Sequence, residues 1–162
     1  MGIEVERKFL VADIAALNLP AIKGKQIRQA YLVDQGAFNL RVRMTDQRAF
    51  LTFKEAKSGL QRHEFEYAIE PSEAEWMMEQ WSVTATIDKI RYPIHHAGYL
   101  WEVDVFAGAN DGLVVAEVEL ENADCEPVLP AWLGREITGE RRYYNQELAH
   151  EPYSQWPAEL RR

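Results

Sequence analysis

Hydrophobic and polar residues alternate with a period of two from the first residues of the chain. If residues 3–11 form a strand, Glu4, Glu6 and Lys8 lie on one face, and hydrophobic side chains such as Val5 lie on the other. The two carboxylates are then about 7 Å apart, and the ammonium group follows them. The segment therefore predicts a strand with one hydrophobic face and one strongly charged face.

The same alternation predicts seven further strands. They are expected at residues 25–34, 39–44, 49–54, 64–70, 84–92, 99–106 and 113–121. Successive strands joined by short turns favour a largely antiparallel sheet, and we expect this sheet to be closed.

A few helices flank the predicted strands. They are expected at residues 13–17, 72–81 and 138–149. Ser72 and Glu75 fit a capping box at the start of the second helix, and Thr138 is the expected cap of the third. The predicted fold class is therefore α+β, mainly β. A single domain is expected at residues 1–150, followed by a weakly structured C-terminal tail at residues 151–162.

Most of the predicted strands carry charges of one sign at their alternating positions. The basic pairs are Arg41 with Arg43 and Lys89 with Arg91, and the acidic pairs are Glu64 with Glu66, Glu102 with Asp104 and Glu117 with Glu119. A single charged strand face is usually exposed to solvent. However, protein surfaces normally mix the two signs, and like charges held close together are unfavourable unless something compensates them. In a closed sheet these faces would all line one interior.

That interior would combine many charges of both signs. Its six cations would be Lys8, Arg41, Arg43, Lys54, Lys89 and Arg91, and its eight carboxylates would be Glu4, Glu6, Glu64, Glu66, Glu102, Asp104, Glu117 and Glu119. So many carboxylates favour a hard divalent cation such as Mg²⁺ or Mn²⁺, whereas zinc is disfavoured because the pattern lacks His and Cys. Arginine pairs suit phosphate oxygens, which they bind in a bidentate manner. A polyphosphate would pair with the six cations, and a metal ion bound to the carboxylates would offset their negative charge.

Composition and charge narrow the functional classes. The 162 residues suit one domain, and the formal charge of −8 argues against a nucleic-acid-binding surface. Cys125 is the single cysteine, which excludes an internal disulfide and a cysteine metal cluster. No apolar run approaches 18 residues, and the N-terminus is charged rather than signal-like, so we expect a cytoplasmic protein with no membrane segment.

The order of the charged motifs is similar to that of a known family. Glu4-x-Glu6-x-Lys8 resembles the signature of the CYTH superfamily, the triphosphate tunnel metalloenzymes. The motifs that follow in the same order are Arg41-x-Arg43, Thr52-Phe53-Lys54, Arg62-His63-Glu64-Phe65-Glu66, Lys89-Ile90-Arg91-Tyr92, Trp101–Gly108, Gly112–Glu119 and Tyr144-Asn145-x-x-Leu148. The resemblance covers about residues 2–149 and is strongest to the short bacterial inorganic triphosphatases.

The resemblance implies an eight-stranded antiparallel closed barrel around a tunnel, with one or two Mg²⁺ or Mn²⁺ ions and a triphosphate-bearing small molecule as substrate. The substrate-binding residues that it implies are Lys8, Arg41, Arg43, Lys54, Lys89 and Arg91. The implied metal ligands are Glu4, Glu6, Glu64, Glu66, Asp104, Glu117 and Glu119. Lys8 and Tyr31 are the implied catalytic residues. Lys8 has two possible roles. It either positions or deprotonates the attacking water, or it binds phosphate and pairs with carboxylates. Tyr31 either assists Lys8 or is a packing residue.

The predicted function is metal-dependent hydrolysis of a triphosphate, with inorganic tripolyphosphate as the first candidate substrate. The enzyme alternatives are a class IV type adenylate cyclase and a thiamine triphosphatase, and the non-enzyme alternative is a polyphosphate- or nucleotide-binding module. A homodimer is also among the expectations, because the hydrophobic outer faces of the strands need to be covered.

Overall fold

The computed structural model describes residues 5–36, 38–55 and 63–161. Nine strands form one sheet. In chain order they are β1 (Val5–Val11), β2 (Lys25–Val33), β3 (Phe38–Thr45), β4 (Arg48–Glu55), β5 (Glu64–Ile69), β6 (Ile87–His96), β7 (Tyr99–Ala107), β8 (Val114–Leu120) and β9 (Leu133–Glu136). The order across the sheet is β5-β4-β3-β2-β6-β7-β8-β1-β9, and all neighbouring strands are antiparallel. The mainly-β, antiparallel part of the prediction is therefore confirmed, and all eight predicted strands are present.

The prediction of a closed eight-stranded sheet is wrong for the described residues, in which the sheet is open and has nine strands. Strand β9 pairs with the side of β1 that β8 leaves free, with Phe9 opposite Glu136. Because β9 occupies this side of β1, strand β5 remains at the opposite edge of the sheet. The four residues of β9 have no clear alternating pattern, which is why the sequence did not reveal this strand.

Two helices of more than three residues accompany the sheet in the described part of the chain. They are α1 (Pro71–Trp81) and α2 (Asn145–His150), and short 3₁₀ turns include Ala15–Leu17 and Arg141–Tyr143. The cap of helix α1 lies two residues before the predicted Ser72, because Glu70 is the cap and Glu73 accepts a hydrogen bond from the Glu70 N–H at 3.4 Å. The described part of the chain contains no helix with the length and apolarity needed to cross a bilayer.

The last predicted helix is much shorter than expected. Only residues 145–150 are α-helical, and Thr138 does not cap this helix. Its hydroxyl group instead accepts a hydrogen bond from the Lys8 N–H at 3.0 Å, and the Ile137 N–H donates to the Lys8 carbonyl at 2.8 Å. The segment before the helix therefore holds the backbone of β1 at Lys8.

Hydrophobic residues cover the outer face of the sheet in two clusters. Helix α1 packs Ala74 and Met78 against the outer face of β2, β3 and β4. On the outer face of β1, β7 and β8, Leu17 packs in a cluster with Trp101 and Val118. Parts of the outer face are therefore covered within one chain, which weakens the reason for expecting a homodimer, and the homodimer stays a prediction.

A third hydrophobic cluster joins the C-terminal segment to the inner face of the sheet. Tyr31 and Ile87 of the sheet pack with Leu148 and Trp156. The expectation of a weakly structured tail is therefore wrong, because Trp156 is only 5% exposed. The tail could not be recognised from the sequence because the buried Trp156 and the partly buried Tyr153 do not recur with a helical or strand period.

Candidate active site

The strand register places the described members of the predicted charged set on a single face of the sheet, which we call the polar face. Paired positions in neighbouring antiparallel strands point to the same side. The pairs that define the polar face are Glu6 with Glu119, Lys8 with Glu117, Tyr31 with Arg41, Gln29 with Arg43, Lys54 with Glu64, Thr52 with Glu66, Arg91 with Asp104 and Glu102 with Glu117. The alternation in the sequence thus predicted this face correctly, although the sheet does not close.

The polar face is concave where the C-terminal segment lies on it. Lys8 of β1 and Lys89 of β6 are three strand spacings apart, about 14 Å across the strands of a flat sheet, and the register places Lys8 level with Pro93 of β6 rather than with Lys89. Nevertheless they contact consecutive residues: the Lys8 ammonium is 5.2 Å from the centre of the Tyr144 ring, and Lys89 Nζ is 3.5 Å from Asn145 Oδ1. The sheet must curve toward this segment for both contacts to form.

Carboxylates line a cavity at one end of the polar face, which we call the acidic cavity. Its volume is about 450 Å³, and the carboxylate residues in its wall are Glu6, Glu102, Glu117, Glu119 and Glu121. Three of these, Glu6, Glu117 and Glu119, are predicted metal ligands. Glu121 was not predicted as a site residue, although it continues the two-residue alternation of Glu117 and Glu119 and could have been found from it.

Buried ion pairs connect this cavity to the middle of the polar face. Asp104 is 1% exposed and accepts hydrogen bonds from Lys89 at 2.5 Å and from Arg91 at 2.7 Å. Arg91 also donates to Glu102 at 2.8 Å and lies 3.5 Å from Glu117. Both oxygens of Asp104 are therefore occupied by cations, and this arrangement differs from the metal-ligand role predicted for it.

These ion pairs keep the carboxylate of Asp104 negatively charged. Burial alone would raise the pKa of its carboxyl group, but the charges and hydrogen bonds of Lys89 and Arg91 outweigh this effect and lower the pKa to about 2. For Arg91, burial disfavours the charged guanidinium, but the hydrogen bond and charge of Asp104 raise its pKa above the usual value. The pair consequently remains ionised over the whole physiological range.

Lys8 connects the acidic cavity to the C-terminal segment. Its ammonium group is 2.9 Å from a carboxylate oxygen of Glu117, and the residue is 8% exposed. The ring of Tyr144 lies against the same ammonium group. Tyr144 and Asn145 were recognised in the sequence only as part of a family motif, and their contacts with Lys8 and Lys89 depend on a distant chain segment that no local pattern reveals.

The two predicted arginines of β3 have a different environment from the other cations. Within the described ranges, neither Arg41 nor Arg43 has a carboxylate oxygen within 4.0 Å, whereas Lys8, Lys54, Lys89 and Arg91 each have at least one. Burial lowers the pKa of Arg43, and the charges of Arg41 and Arg91 lower it further. The polar face therefore contains a cationic region whose charge is not offset by a direct ion pair.

Tyr31 lies beside these arginines. It is 5% exposed and stands opposite Arg41 in the β2–β3 register. Burial raises the pKa of its phenol group, and the nearby guanidinium groups of Arg41 and Arg43 oppose that shift. The charged groups that act on its phenol are thus Arg41, Arg43 and Asp34, and the predicted assistance to Lys8 stays a prediction.

The remaining predicted residues lie near the β5 edge or outside the described part of the chain. Lys54 Nζ is 3.0 Å from Glu64, and Glu66 accepts a hydrogen bond from Thr52 at 3.1 Å. Glu4, predicted as a metal ligand, lies outside the described residues, as does Arg62.

The acidic cavity suits a hard divalent cation by its donor chemistry. All five of its charged groups are carboxylates, which are the oxygen ligands that Mg²⁺ and Mn²⁺ prefer. The described residues do not include three or more such side chains already close enough to hold an ion. Because Lys8 and Arg91 now hold Glu117 and Glu102, a bound cation would have to compete with these ion pairs.

Comparison with known proteins gives consistent results. The CYTH domain family matches residues 2–152 of the chain. An inorganic triphosphatase from Acetivibrio thermocellus is 40% identical over 153 residues, which cover 94% of this chain and 97% of that protein. An inorganic triphosphatase from Nitrosomonas europaea is 36% identical over 152 residues, which cover 90% of this chain and 96% of that protein.

The fold has a corresponding match among solved structures. The crystal structure of the inorganic triphosphatase NE1496 superposes with a TM-score of 0.75 and 33% identity, and the alignment covers 92% of this chain and 95% of that one. A putative adenylate cyclase from Bacillus halodurans has the same fold, with a TM-score of 0.54 and 18% identity. The family match over residues 2–152 and the two related sequences together establish that this chain belongs to the CYTH domain family.

Proposed function

We propose that this chain is a metal-dependent hydrolase of linear triphosphates, with inorganic tripolyphosphate as its substrate. The observation that carries the proposal is the division of the polar face into arginines without carboxylate partners and an acidic cavity. An anion with several phosphate groups complements the arginines, and a divalent cation between that anion and the carboxylates complements the cavity. The names of the relatives from Acetivibrio and Nitrosomonas support the same substrate class.

The arginines of β3 are the proposed main binding groups for the phosphates. Arg41 is buried, its Nε lacks a partner among the described residues, and Arg43 lies beside it on the same face. A guanidinium group offers two parallel donors to phosphate oxygens, and charge-assisted bonds of this kind are the stronger hydrogen bonds in proteins. Lys54 and Arg91 extend the cationic region to either side, and Lys89 acts mainly by holding Asp104.

The proposed metal ligands are the carboxylates of the acidic cavity, together with Glu4. One or two Mg²⁺ or Mn²⁺ ions bound there would neutralise phosphate charge and lower the pKa of an attacking water molecule. Glu64 and Glu66 belong to the same predicted ligand set but lie on β5, near the arginines, where they can reach an ion bound on the phosphate side. The ion pairs of Asp104 favour a different role, namely holding Lys89 and Arg91 in position.

In the proposed reaction, a water oxygen forms a bond to a terminal phosphorus while the bond from that phosphorus to the bridging oxygen breaks. Orthophosphate and pyrophosphate are the products, and the water proton passes to solvent or to a nearby base. The arginines hold the phosphate oxygens in place as charge redistributes, and such positioning supplies most of the catalysis in phosphoryl transfer. The ion pair between Lys8 and Glu117 favours a role for Lys8 in orienting water or phosphate rather than in removing the proton.

Replacing Arg43 by alanine tests the binding assignment. We expect KM for tripolyphosphate to rise about 10- to 100-fold, because hydrogen bonds to charged groups contribute roughly 1.5–3 kcal/mol. Arg28→Ala is the matched control, since Arg28 lies on the opposite face of the sheet and pairs with Asp88 at 3.4 Å. Steady-state kinetics of orthophosphate release compare the variants. An unchanged KM in Arg43→Ala would show that the β3 arginines do not bind substrate.

The predicted cytoplasmic location and the homodimer belong to this proposal only as expectations from the sequence. The class IV type adenylate cyclase and the thiamine triphosphatase would require the same phosphate-binding groups. They differ from a tripolyphosphatase in substrate and product, so a product assay separates them from the proposed reaction.

A further inference from the structure

A glutamine that the sequence did not single out lies between the arginines and the core of the sheet. Gln29 on β2 is completely buried and stands opposite Arg43 of β3 and Ile87 of β6. Its Oε1 atom accepts a hydrogen bond from Arg43 Nε at 3.3 Å. Gln29 is therefore a polar residue in direct contact with the cationic region of the polar face.

The hydrogen bond with Arg43 determines which way the Gln29 amide points. A guanidinium group has only donors, so the atom that faces Arg43 Nε must be the carbonyl oxygen. The two N–H groups of Nε2 then point away from Arg43. Among the described residues Nε2 is buried and has no hydrogen-bond partner. An unsatisfied buried donor is unfavourable, and it needs an explanation in a native structure.

A second buried donor in the same region is also without a partner. Arg41 Nε is buried and unsatisfied among the described residues, and Arg41 adjoins Arg43 closely enough for its charge to lower the Arg43 pKa. Donors from two side chains, next to two like charges, call for a ligand that has several acceptor atoms and a negative charge. A water molecule could accept these hydrogen bonds, but it would not offset the charges of the arginines. A phosphate group meets both requirements.

We propose that Gln29 is a substrate-binding residue, whose Nε2 donates a hydrogen bond to a phosphate oxygen of the bound triphosphate while its Oε1 holds Arg43 in position. This inference rests on the proposed function, because it assigns a further contact at the same site. In the free protein the Nε2 donor is unsatisfied, so its contribution should appear on binding rather than in folding. This separates a binding role from a purely structural one.

The first test measures tripolyphosphate binding by calorimetry with EDTA present and no metal, for the wild type and Gln29→Met. We expect the affinity of Gln29→Met to fall about 10- to 100-fold, because a hydrogen bond to a charged group is lost. The urea midpoint should fall only modestly, since methionine has a similar size and removes the unsatisfied Nε2 donor, although Arg43 Nε loses its acceptor. Gln26→Met is the matched control, because Gln26 is exposed on the opposite face of β2 and should bind like the wild type.

A double-mutant cycle distinguishes direct contact from an effect through Arg43. Arg43→Lys removes the Nε that Gln29 holds but keeps a positive charge, so binding remains measurable. If Gln29 contacts phosphate, Gln29→Met should weaken binding several-fold in the Arg43→Lys background as well. If Gln29→Met has no effect in that background, Gln29 acts only through Arg43, and the proposed contact is wrong.

The remaining outcomes are equally decisive. Normal affinity of Gln29→Met in the wild-type background would overturn the inference while leaving the proposed function intact. Absence of tripolyphosphate binding by the wild-type protein both with EDTA and with Mg²⁺ would overturn the proposed function itself. If Gln29→Met does not fold, the affinity of Gln29→Glu for tripolyphosphate is measured instead. This variant keeps the acceptor toward Arg43 but replaces the donor by a carboxylate oxygen. Wild-type affinity in that variant would contradict a donor role.

Discussion

At the residue scale, the main result is that the charged side chains of the polar face have different partners. Alternation along the strands identifies which side chains share this face, because their direction depends only on local backbone geometry. It does not identify which cation meets which carboxylate, since that depends on the register between strands distant in sequence. Asp104 illustrates this limit, because it was predicted as a metal ligand and is held by Lys89 and Arg91.

Replacing Asp104 by asparagine tests the ion-pair assignment. We expect a loss of about 3–5 kcal/mol in the free energy of unfolding near neutral pH, because the change leaves Lys89 and Arg91 as buried cations without their partner. Asp111→Asn is the control, since Asp111 is exposed in a turn. Urea unfolding of the three proteins measures the difference. A loss no larger than that of Asp111→Asn would contradict the assignment.

The pH dependence of stability provides an independent test of the same residue. The pKa of Asp104 falls from 3.8 to about 2 on folding, so its contribution of about 2 kcal/mol is present above about pH 4. That contribution is lost as the pH falls through about 2. The stability of the wild type should therefore decrease more steeply from about pH 4 to 2 than that of Asp104→Asn. Other carboxylates titrate in both proteins and contribute equally to both curves of stability against pH. Parallel curves for the wild type and Asp104→Asn would therefore show that Asp104 does not cause the loss of stability.

At the element scale, the C-terminal segment is as important as the strands. Thr138 and Ile137 bind the backbone of Lys8, and Tyr144 packs on its ammonium group. The sequence predicted one long helix here, because Thr138 has the chemistry of a helix cap. The structure uses that hydroxyl group in a contact with β1 instead, and a contact of this range leaves no local signal in the sequence.

The tail beyond α2 is expected to contribute to stability despite its irregular structure. Trp156 packs on Tyr143 and Tyr153, with ring centres 5.2 Å apart in each case, and it donates to the Glu151 carbonyl at 2.9 Å. Trp156→Ala should reduce the free energy of unfolding by about 3–5 kcal/mol, as for other buried aromatic residues.

An exposed tryptophan provides the comparison for this change. Trp76 on α1 is 51% exposed and packs edge-on against Trp81 with ring centres 4.9 Å apart, so Trp76→Ala should lose less than about 1.5 kcal/mol. Urea unfolding curves of both variants give the two values. Equal losses would indicate that the tail does not pack against the inner face as described.

At the scale of the whole molecule, the open nine-stranded sheet still brings all the charged strands to one face. The prediction of closure failed because β9 adds to β1 at the position that closure requires. The prediction of a shared charged face succeeded because it depends on antiparallel pairing, which is preserved. The functional conclusion therefore depends on the polar face and its curvature rather than on a closed barrel.

The most direct test of the central claim is a product assay with the purified protein. Tripolyphosphate, ATP and thiamine triphosphate are each incubated with Mg²⁺, with Mn²⁺ and with EDTA, and the products are identified by chromatography. We predict that tripolyphosphate yields equal amounts of orthophosphate and pyrophosphate when a divalent cation is present, and that EDTA abolishes the reaction. Cyclic nucleotide and pyrophosphate from ATP, or no hydrolysis of tripolyphosphate with either cation, would contradict the proposed function.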